Sequence, residues 1–190
     1  MDYNIGDVSP DWIPTAAHGM YYSISNSKCL DRYPVRALVM MHNRFDGCLG
    51  FPGGVIDLED PNPVAALNRE VEEEVGCCLS DIRFTQEDLT AVHQERDTKR
   101  IFYFFTKSLN ASLYEFIEQS VLTAKDFGSE VLGLLRVPCY TMDDGIRGLP
   151  MFLTNSFAGN AKCQLFCGLL KASICSLHEL EEAMAAAHKM

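Results

Sequence analysis

The sequence predicts an α/β domain in which a mixed β-sheet is sandwiched between α-helices. Segments of strand length alternate with segments of helical periodicity along the chain, which is typical of this class. At 190 residues the chain is long enough for one well-packed core and too short for two. The short pieces rich in Pro, Gly and Asp have the length of loops, and no repeat is visible. We therefore expect residues 1–190 to form a single domain.

Apolar and β-branched runs predict the strands, and periodic apolar stripes predict the helices. Strands are expected at Ala16–Ile24, Val35–His42, Leu89–His93, Arg100–Thr106 and Glu130–Val137. After the first helix, described next, helices are expected from about Ser112 and at Ala161–Ala172 and Leu177–Ala187. The pairs Ser112 with Glu115 and Ser176 with Glu179 have capping-box spacing, which marks a helix start.

The first helix has the clearest signals of the chain. Asn62 can cap it, Pro63 fits its first position, and Gly76 ends it after Val75. One apolar stripe runs along it, formed by Val64, Leu67, Val71 and Val75. We expect this helix to pack on the sheet through that stripe.

Composition excludes several classes of protein. Cys77 and Cys78 are adjacent, Cys163 and Cys167 lie a helical turn apart, and no CxxC pair occurs, so we expect reduced thiols and no zinc site. The apolar stretches are too short to cross a bilayer, and residues 1–4 do not resemble a signal peptide, so we expect an intracellular protein without membrane contact. A net charge of -10 means that any nucleic acid must be bound locally.

Three carboxylates on the predicted first helix are candidates for binding a metal ion. Glu70, Glu73 and Glu74 lie three and four residues apart, so they share one face and repel one another. Mg²⁺ and Mn²⁺ prefer oxygen ligands and would remove that repulsion. The alternative is a solvated acidic face, which is the usual meaning of a charge run. The glycine turn Gly53-Gly54, whose backbone can approach a ligand and whose Gly53 carbonyl can add an oxygen, favours the metal site.

The run Arg69-Glu70-Val71-Glu72-Glu73-Glu74-Val75-Gly76 resembles the second half of a Nudix box at every fixed position. The first half departs from the pattern, because Val55 stands at its Gly position and Pro61 at its Glu position. That Glu is often the partner of the box arginine in the family. The partner of Arg69 is therefore open, with Asp57, Glu59 and Asp60 as candidates.

Further segments resemble the snoRNA-decapping subgroup of Nudix hydrolases, also described as inosine diphosphate phosphatases, over roughly residues 12 to 172. The matching segments are Arg44-Phe45-Asp46-Gly47, Leu49–Gly54, Leu67–Glu70, Ala124-Lys125-Asp126 with Gly128, Glu130–Gly133, Gly148-Leu149-Pro150 and Asn155-Ser156-Phe157. The resemblance implies the Nudix fold, a homodimer, and a location in the nucleus (nucleolus and nucleoplasm) and cytoplasm. The subgroup includes a catalytically silent relative, syndesmos, that has lost box glutamates, whereas this chain keeps them.

The resemblance also implies a site. Glu70 and Glu74 would bind Mg²⁺ or Mn²⁺, and Glu73 would be a metal ligand or the general base, with the Gly53 carbonyl and Glu130 as additional ligands. The alternative for Glu130 is a surface residue at a strand end. A nucleotide pocket would be formed by His18, Arg44, Phe51 and Gln164, with His93 as a weaker candidate. The alternative for His18 is a core histidine.

Two enzyme functions follow with equal weight, hydrolysis of (deoxy)inosine diphosphate to the monophosphate and removal of the 5′ cap of snoRNA or mRNA. Both substrates present a purine and a phosphoanhydride. ADP-ribose compounds carry the same linkage and are a third candidate. The alternative from another class is a catalytically weak RNA- or protein-binding module of the syndesmos type. The intact glutamates favour the enzyme.

Overall fold

The computed structural model describes residues 11–77 and 79–190, and within them it contains seven strands and five α-helices. The strands are β1 (Ile13–Cys29), β2 (Tyr33–Arg44), β3 (Leu49–Gly50), β4 (Gly53–Val55), β5 (Leu89–Glu95), β6 (Arg100–Ser108) and β7 (Val131–Arg136). The helices are α1 (Pro63–Val75), α2 (Ala111–Ser120), α3 (Leu149–Phe152), α4 (Ala161–Lys171) and α5 (Leu177–Ala187).

The strands form one mixed sheet around β1. The order is β3-β2-β1-β6-β5, with β4 paired to β1 and β7 paired to β2. β1 runs parallel to β6 and antiparallel to β2 and β4. Within β1, His18 lies opposite Gly53 on one side and Phe104 on the other. The central strand therefore connects the glycine turn with the middle of the sheet.

Helices cover both faces of this sheet, as predicted. Because successive strand residues point to opposite faces, Met20 and Tyr21 of β1 enter different cores. Met20 packs in the core that includes Leu165 of α4 and Leu180 of α5. Tyr21 packs in the core that includes residues of α1 and α2. The prediction of a mixed sheet sandwiched between helices is confirmed.

Helix α1 begins and ends where the sequence predicts. The Asn62 side chain accepts a hydrogen bond from the Ala65 N–H at 2.9 Å, and Pro63 is the first helical residue. Gly76 adopts the left-handed conformation with φ 73° and donates its N–H to the Glu72 carbonyl. Both ends are thus set by local hydrogen bonds, which fixes the positions of the glutamates between them.

Of the two predicted capping boxes, one forms and the other does not. Ser176 and Glu179 form the predicted box at the start of α5. At α2 the prediction of a Ser112–Glu115 box was wrong, because Asn110 is the cap and accepts from the Leu113 N–H at 2.9 Å. Asparagine is at least as good a cap as serine, and here it stands two residues earlier.

Most strand ends lie beyond the predicted ones, because hydrogen-bonded pairing continues past the apolar runs. β1 extends to Cys29, whose partner in the hairpin with β2 is Tyr33. β7 is an exception and is shorter than predicted. It begins at Val131, so Glu130 lies just before the strand and not at its first position. The short elements β3, β4 and α3 were not predicted, since two to four residues carry too little periodicity.

Seven cysteines are free thiols in the part of the chain that the structure describes: Cys29, Cys48, Cys77, Cys139, Cys163, Cys167 and Cys175. No helix within residues 11–77 and 79–190 has the length and apolar character needed to cross a bilayer. Cys78 and residues 1–10, which include the start used to argue against a signal peptide, lie outside the described residues.

Candidate active site

The glycine turn and helix α1 fit against each other without space for additional atoms. Gly53 has φ 124°, and a Cβ there would lie 2.2 Å from the Ala17 carbonyl oxygen. A Cβ on Gly54 would lie 2.7 Å from the Glu70 carboxylate. Only glycine allows β4 to approach both β1 and the acidic face of α1 this closely. The turn therefore brings backbone atoms next to the box glutamates.

Glu74 is the most enclosed of the box glutamates. Its side chain is buried, the residue being 5% exposed, and it accepts a hydrogen bond from the Gly53 N–H at 2.7 Å. Burial is the main reason that the pKa of Glu74 rises to about 8; the Gly53 N–H opposes the rise, and the negative charges of Glu70 and Glu130 add to it. A buried carboxylate of this kind favours either a proton or a cation.

His42 lies beside Glu74 but does not form an ion pair with it at neutral pH. Its Nδ1 is 3.7 Å from the Glu74 carboxylate, and the residue is 1% exposed. Burial, with the nearby Arg44 cation, lowers the pKa of His42 to about 3, so the ring is neutral. His42 was not among the predicted site residues, because a histidine in an apolar strand does not by itself indicate a site.

Arg69 binds several acidic side chains near the glycine turn. Its guanidinium binds Asp60 through two hydrogen bonds of 3.3 and 3.0 Å and lies 3.2 Å from Asp57. It also donates to Glu70 at 2.8 Å. Of the three candidates left open by the sequence, Asp57 and Asp60 are thus the partners. Burial raises the pKa of Glu70, and the contact with Arg69 limits that rise.

Glu73 points to a different surface. It pairs with Lys125 at 2.7 Å and lies 3.9 Å from Arg69, at the edge of a groove of about 530 Å³ that also includes Arg83. Glu130 lies close enough to Glu70 and Glu74 to raise the pKa of both. Glu70, Glu74 and Glu130 therefore lie close enough for their charges to interact, whereas Glu73 is directed toward Lys125.

The donor set fits a hard divalent cation, although the side chains do not already converge on one. Within residues 11–77 and 79–190, no group of three or more His, Cys, Asp or Glu side chains stands ready to hold a metal. Instead Glu70, Glu73 and Glu74 each bind a protein donor. Hard divalent cations prefer oxygen ligands such as these. A bound cation would also stabilise the charged forms of Glu70 and Glu74, whose pKa values are raised.

A cavity of about 620 Å³, in the size range of small-molecule sites, is lined by His18, whose strand partner is Gly53 of the glycine turn. It brings together all four residues of the predicted nucleotide pocket, His18, Arg44, Phe51 and Gln164. His93 also lines it. Arg44 is held at its edge by Asp46 at 3.2 Å and stacks over the Phe45 ring at 5.3 Å. Phe51 is 2% exposed and packs on Phe104, so only a small part of its ring reaches the cavity.

Several buried polar atoms in the cavity wall have no hydrogen-bond partner in the described part of the chain. They are Nδ1 of His18, Nδ2 of Asn160 and Nε2 of Gln164. Burial, with the Arg44 cation, lowers the pKa of His18 to about 4, so this ring is neutral at physiological pH. Unpartnered buried polar atoms are costly unless a ligand or water satisfies them. The cavity is therefore suited to a polar ligand.

Asn160 and Lys162 also line the cavity, although neither was predicted as a site residue. Asn160 immediately precedes α4, and the Nζ of Lys162 donates to the Leu153 carbonyl at 2.8 Å. The signal for Asn160 was present, since an asparagine before a helix is normally read as a cap. Whether it caps or faces a cavity depends on the tertiary structure.

The sequence matches the family described as Nudt16-like: U8 snoRNA-decapping enzyme-like over residues 15–175. The U8 snoRNA-decapping enzyme of Xenopus laevis is 39% identical over 176 residues, covering 92% of this chain and 83% of that protein. The enzyme of the same name from Mus musculus is 42% identical over 158 residues, covering 83% and 80%. The Tudor-interacting repair regulator protein of Homo sapiens is 36% identical over 181 residues, covering 95% and 83%.

The fold is also found among solved structures. The NUDIX domain of Shewanella oneidensis NrtR complexed with ADP ribose superposes with a TM-score of 0.52 at 13% identity, covering 88% of this chain and 94% of that one. A MutT/nudix family protein from Enterococcus faecalis gives a TM-score of 0.53 at 10% identity, covering 94% and 71%. These likenesses show the Nudix fold. Together with the family match they establish that the chain belongs to the Nudt16-like, U8 snoRNA-decapping enzyme-like family of Nudix hydrolases.

Proposed function

We propose that this protein is a divalent-metal-dependent hydrolase that cleaves phosphoanhydride bonds, both in (deoxy)inosine diphosphate and in the 5′ cap of snoRNA or mRNA. One observation carries the proposal: the Gly53-Gly54 turn contacts the glutamate cluster, and Gly53 pairs with His18, which lines a cavity whose wall contains buried polar atoms without a partner among the described residues. Carboxylates that favour a cation next to a cavity that favours a polar ligand are what hydrolysis of a diphosphate requires.

The proposed metal ligands are Glu70, Glu74, Glu130 and the Gly53 carbonyl, and Glu73 acts as a ligand or as the general base. Mg²⁺ or Mn²⁺ bound there lowers the pKa of water and stabilises charge that develops on phosphate oxygens. Glu73 reaches the site by leaving Lys125, an exposed partner whose loss costs little.

The cavity residues orient the rest of the substrate. Arg44 suits a phosphate through its planar guanidinium, and its contacts with Asp46 and Phe45 keep it at the cavity edge. Gln164 supplies an amide for the edge of a purine, and neutral His18 supplies a ring nitrogen. Phe51 contributes an apolar contact for the base.

The experiment that tests this function is product analysis. The purified protein is incubated with IDP, GDP, ADP-ribose and methylguanosine-capped RNA in Mg²⁺ or Mn²⁺, with a chelator as control. We expect IMP from IDP and cap removal from RNA, both abolished by the chelator. Hydrolysis of IDP without cap removal would restrict the function to nucleotides. Phosphate release in the presence of chelator would contradict metal dependence.

A second candidate, a non-enzymatic binding module, is favoured by one comparison. The Tudor-interacting repair regulator proteins of Homo sapiens and Mus musculus are 36% and 35% identical to this chain, and their name describes an interaction. This candidate predicts no hydrolysis of any substrate in the panel.

The predicted homodimer and the nuclear and cytoplasmic location are also part of the proposal. Sedimentation equilibrium of the purified chain would show twice the monomer mass of 21.2 kDa if it pairs. Fluorescence microscopy of the tagged protein would test the location.

A further inference from the structure

His42 places a polar ring on the apolar face of the sheet that α1 covers. Side chains alternate along a strand, so Leu38, Met40 and His42 of β2 point to the same face, where Leu38 and Met40 pack in the core that includes residues of α1. His42 is 1% exposed, and its Nε2 has no hydrogen-bond partner among the residues that the structure describes. A buried polar group without a partner costs free energy that an apolar side chain would not. Packing alone therefore does not explain a histidine at this position.

The other ring nitrogen of His42 faces a carboxylate oxygen. Nδ1 lies 3.7 Å from Oε2 of Glu74, and the same oxygen accepts the Gly53 N–H at 2.7 Å. Within residues 11–77 and 79–190, Oε1 of Glu74 has no hydrogen-bond partner. Strands β2 and β4 thus approach one oxygen of the carboxylate from two sides and leave the other oxygen without a protein partner.

This geometry suits a donor that orients a metal ligand. One hydrogen bond lets a carboxylate rotate about the bonded oxygen, whereas two donors from different directions fix its plane. Burial keeps the pKa of His42 low, so the ring is neutral and brings no charge that would repel a cation. The 3.7 Å separation exceeds an ordinary N–H to oxygen distance by about 0.7 Å, which a small rotation of the Glu74 side chain can close.

We propose that His42 is a positioning residue for Glu74: its Nδ1–H and the Gly53 N–H together hold Oε2, which directs Oε1 to a hard divalent cation such as Mg²⁺ or Mn²⁺. The inference rests on the proposed function, which supplies the metal site. It assigns the proton of the neutral ring to Nδ1 and leaves Nε2 as an acceptor.

Calorimetric titration of Mn²⁺ into the full chain measures the effect on the metal site. His42→Met removes the donor and places a flexible apolar side chain beside Met40 and Met41. We expect it to weaken Mn²⁺ binding about 10- to 100-fold, the usual consequence of losing a residue that orients a metal ligand. His42→Gln keeps an N–H donor and is expected to restore most of that affinity.

Urea melts without metal distinguish positioning from a purely structural role. His42→Met removes a buried ring that has an unpartnered nitrogen among the described residues, so we expect the free energy of unfolding to stay the same or to rise. A lower unfolding free energy combined with wild-type Mn²⁺ affinity would show that His42 is only structural. Met40→Leu is the matched control, because Met40 is also 1% exposed on the same face of β2. It is expected to leave Mn²⁺ affinity unchanged.

The position of the ring proton is a second readout, and it does not depend on metal binding. Nitrogen-15 NMR of ring-labelled histidine separates the Nδ1–H form from the Nε2–H form, and the His42→Gln protein identifies the signal of His42. We expect the Nδ1–H form at pH 7. The Nε2–H form would overturn the inference even if His42→Met did not fold.

The inference and the proposed function fail separately in these experiments. Wild-type Mn²⁺ affinity of a folded His42→Met protein would overturn the inference alone. Weakened Mn²⁺ binding in His42→Met and its recovery in His42→Gln, without hydrolysis of any substrate in the panel, would overturn the proposed function alone. Absence of Mn²⁺ binding by the wild type would overturn both.

Discussion

The Glu74 carboxylate accepts a hydrogen bond of 2.7 Å from the Gly53 N–H, and this bond joins the box helix to the glycine turn. Gly53 also pairs with His18, which lines the cavity. The acid cluster and the cavity are therefore connected through one glycine. Substitutions at Glu74 and at Gly53 therefore separate effects on hydrolysis from effects on the stability of the fold.

Glu74→Gln is expected to reduce hydrolysis by about 100-fold or more, the scale on which removal of one charged or dipolar contributor lowers turnover. The amide keeps an oxygen that can accept from the Gly53 N–H, so the fold is retained. Steady-state kinetics on IDP, with circular dichroism as the control for folding, measures this effect. Normal turnover by the variant would remove Glu74 from the machinery.

The metal-free protein is expected to lose stability, relative to Glu74→Gln, as pH rises. The pKa of Glu74 is about 8 in the folded state and 4.5 ordinarily, so folding retains a proton between these values. The stabilisation is complete below about pH 4.5 and disappears as pH rises through about 8. The difference in unfolding free energy between the two proteins, from urea melts, isolates this group from His18 and His42, whose lowered pKa values act in the opposite direction.

Saturating Mg²⁺ or Mn²⁺ provides the control for this pH dependence. A cation that takes the place of the proton removes the loss of stability, so its stabilising effect grows from about pH 4.5 to about pH 8. If the difference in unfolding free energy between the wild type and Glu74→Gln does not change with pH in the absence of metal, Glu74 titrates normally.

Gly53→Ala is expected to destabilise the fold by about 3 kcal/mol or more, because strain at a positive φ adds to a collision with the Ala17 carbonyl. Gly47→Ala is the matched control. Gly47 also has a positive φ, 79°, but a Cβ there meets nothing within 4 Å, so its cost is expected to be about 1 kcal/mol. Equal losses in urea melts would mean that the close approach at Gly53 is unimportant.

Asp60→Ala is expected to lower the unfolding free energy by about 1 to 2 kcal/mol, since it removes two hydrogen bonds to Arg69. Glu59→Ala, at an exposed neighbour, is expected to change it by less than about 0.5 kcal/mol. Thermal melts of both variants compare them directly. A larger loss of unfolding free energy in Glu59→Ala than in Asp60→Ala would mean that Glu59, and not Asp60, is the partner of Arg69.

Helix α1 could be predicted to the residue because its limits are local. Asn62, Pro63 and Gly76 each act on backbone groups within four residues. The cap of α2 was missed because Asn110 and Ser112 are both suitable caps and only one can be used. The length of β1 was missed because its polar end is held by pairing with β2, a contact between strands that composition does not reveal.

The candidate site divides in the same way. The spacing of Glu70 and Glu74 places them on one face of a helix, and the structure keeps them there. The choice of Asp57 and Asp60 for Arg69 depends on the turn, in which the Asp57 N–H donates to Asp60. The direction of Asn160 depends on where α4 meets the cavity. Such contacts arise from tertiary packing, which local sequence patterns do not specify.

Binding of a divalent cation by Glu70 and Glu74 at the glycine turn underlies the proposed hydrolysis. Calorimetric titration of Mn²⁺ into the wild type and into a Glu70→Gln, Glu74→Gln double variant measures this binding. We expect saturable binding with release of protons by the wild type at pH 7, and loss of that binding in the double variant. Equal Mn²⁺ affinity of the two proteins would exclude Glu70 and Glu74 as the metal ligands.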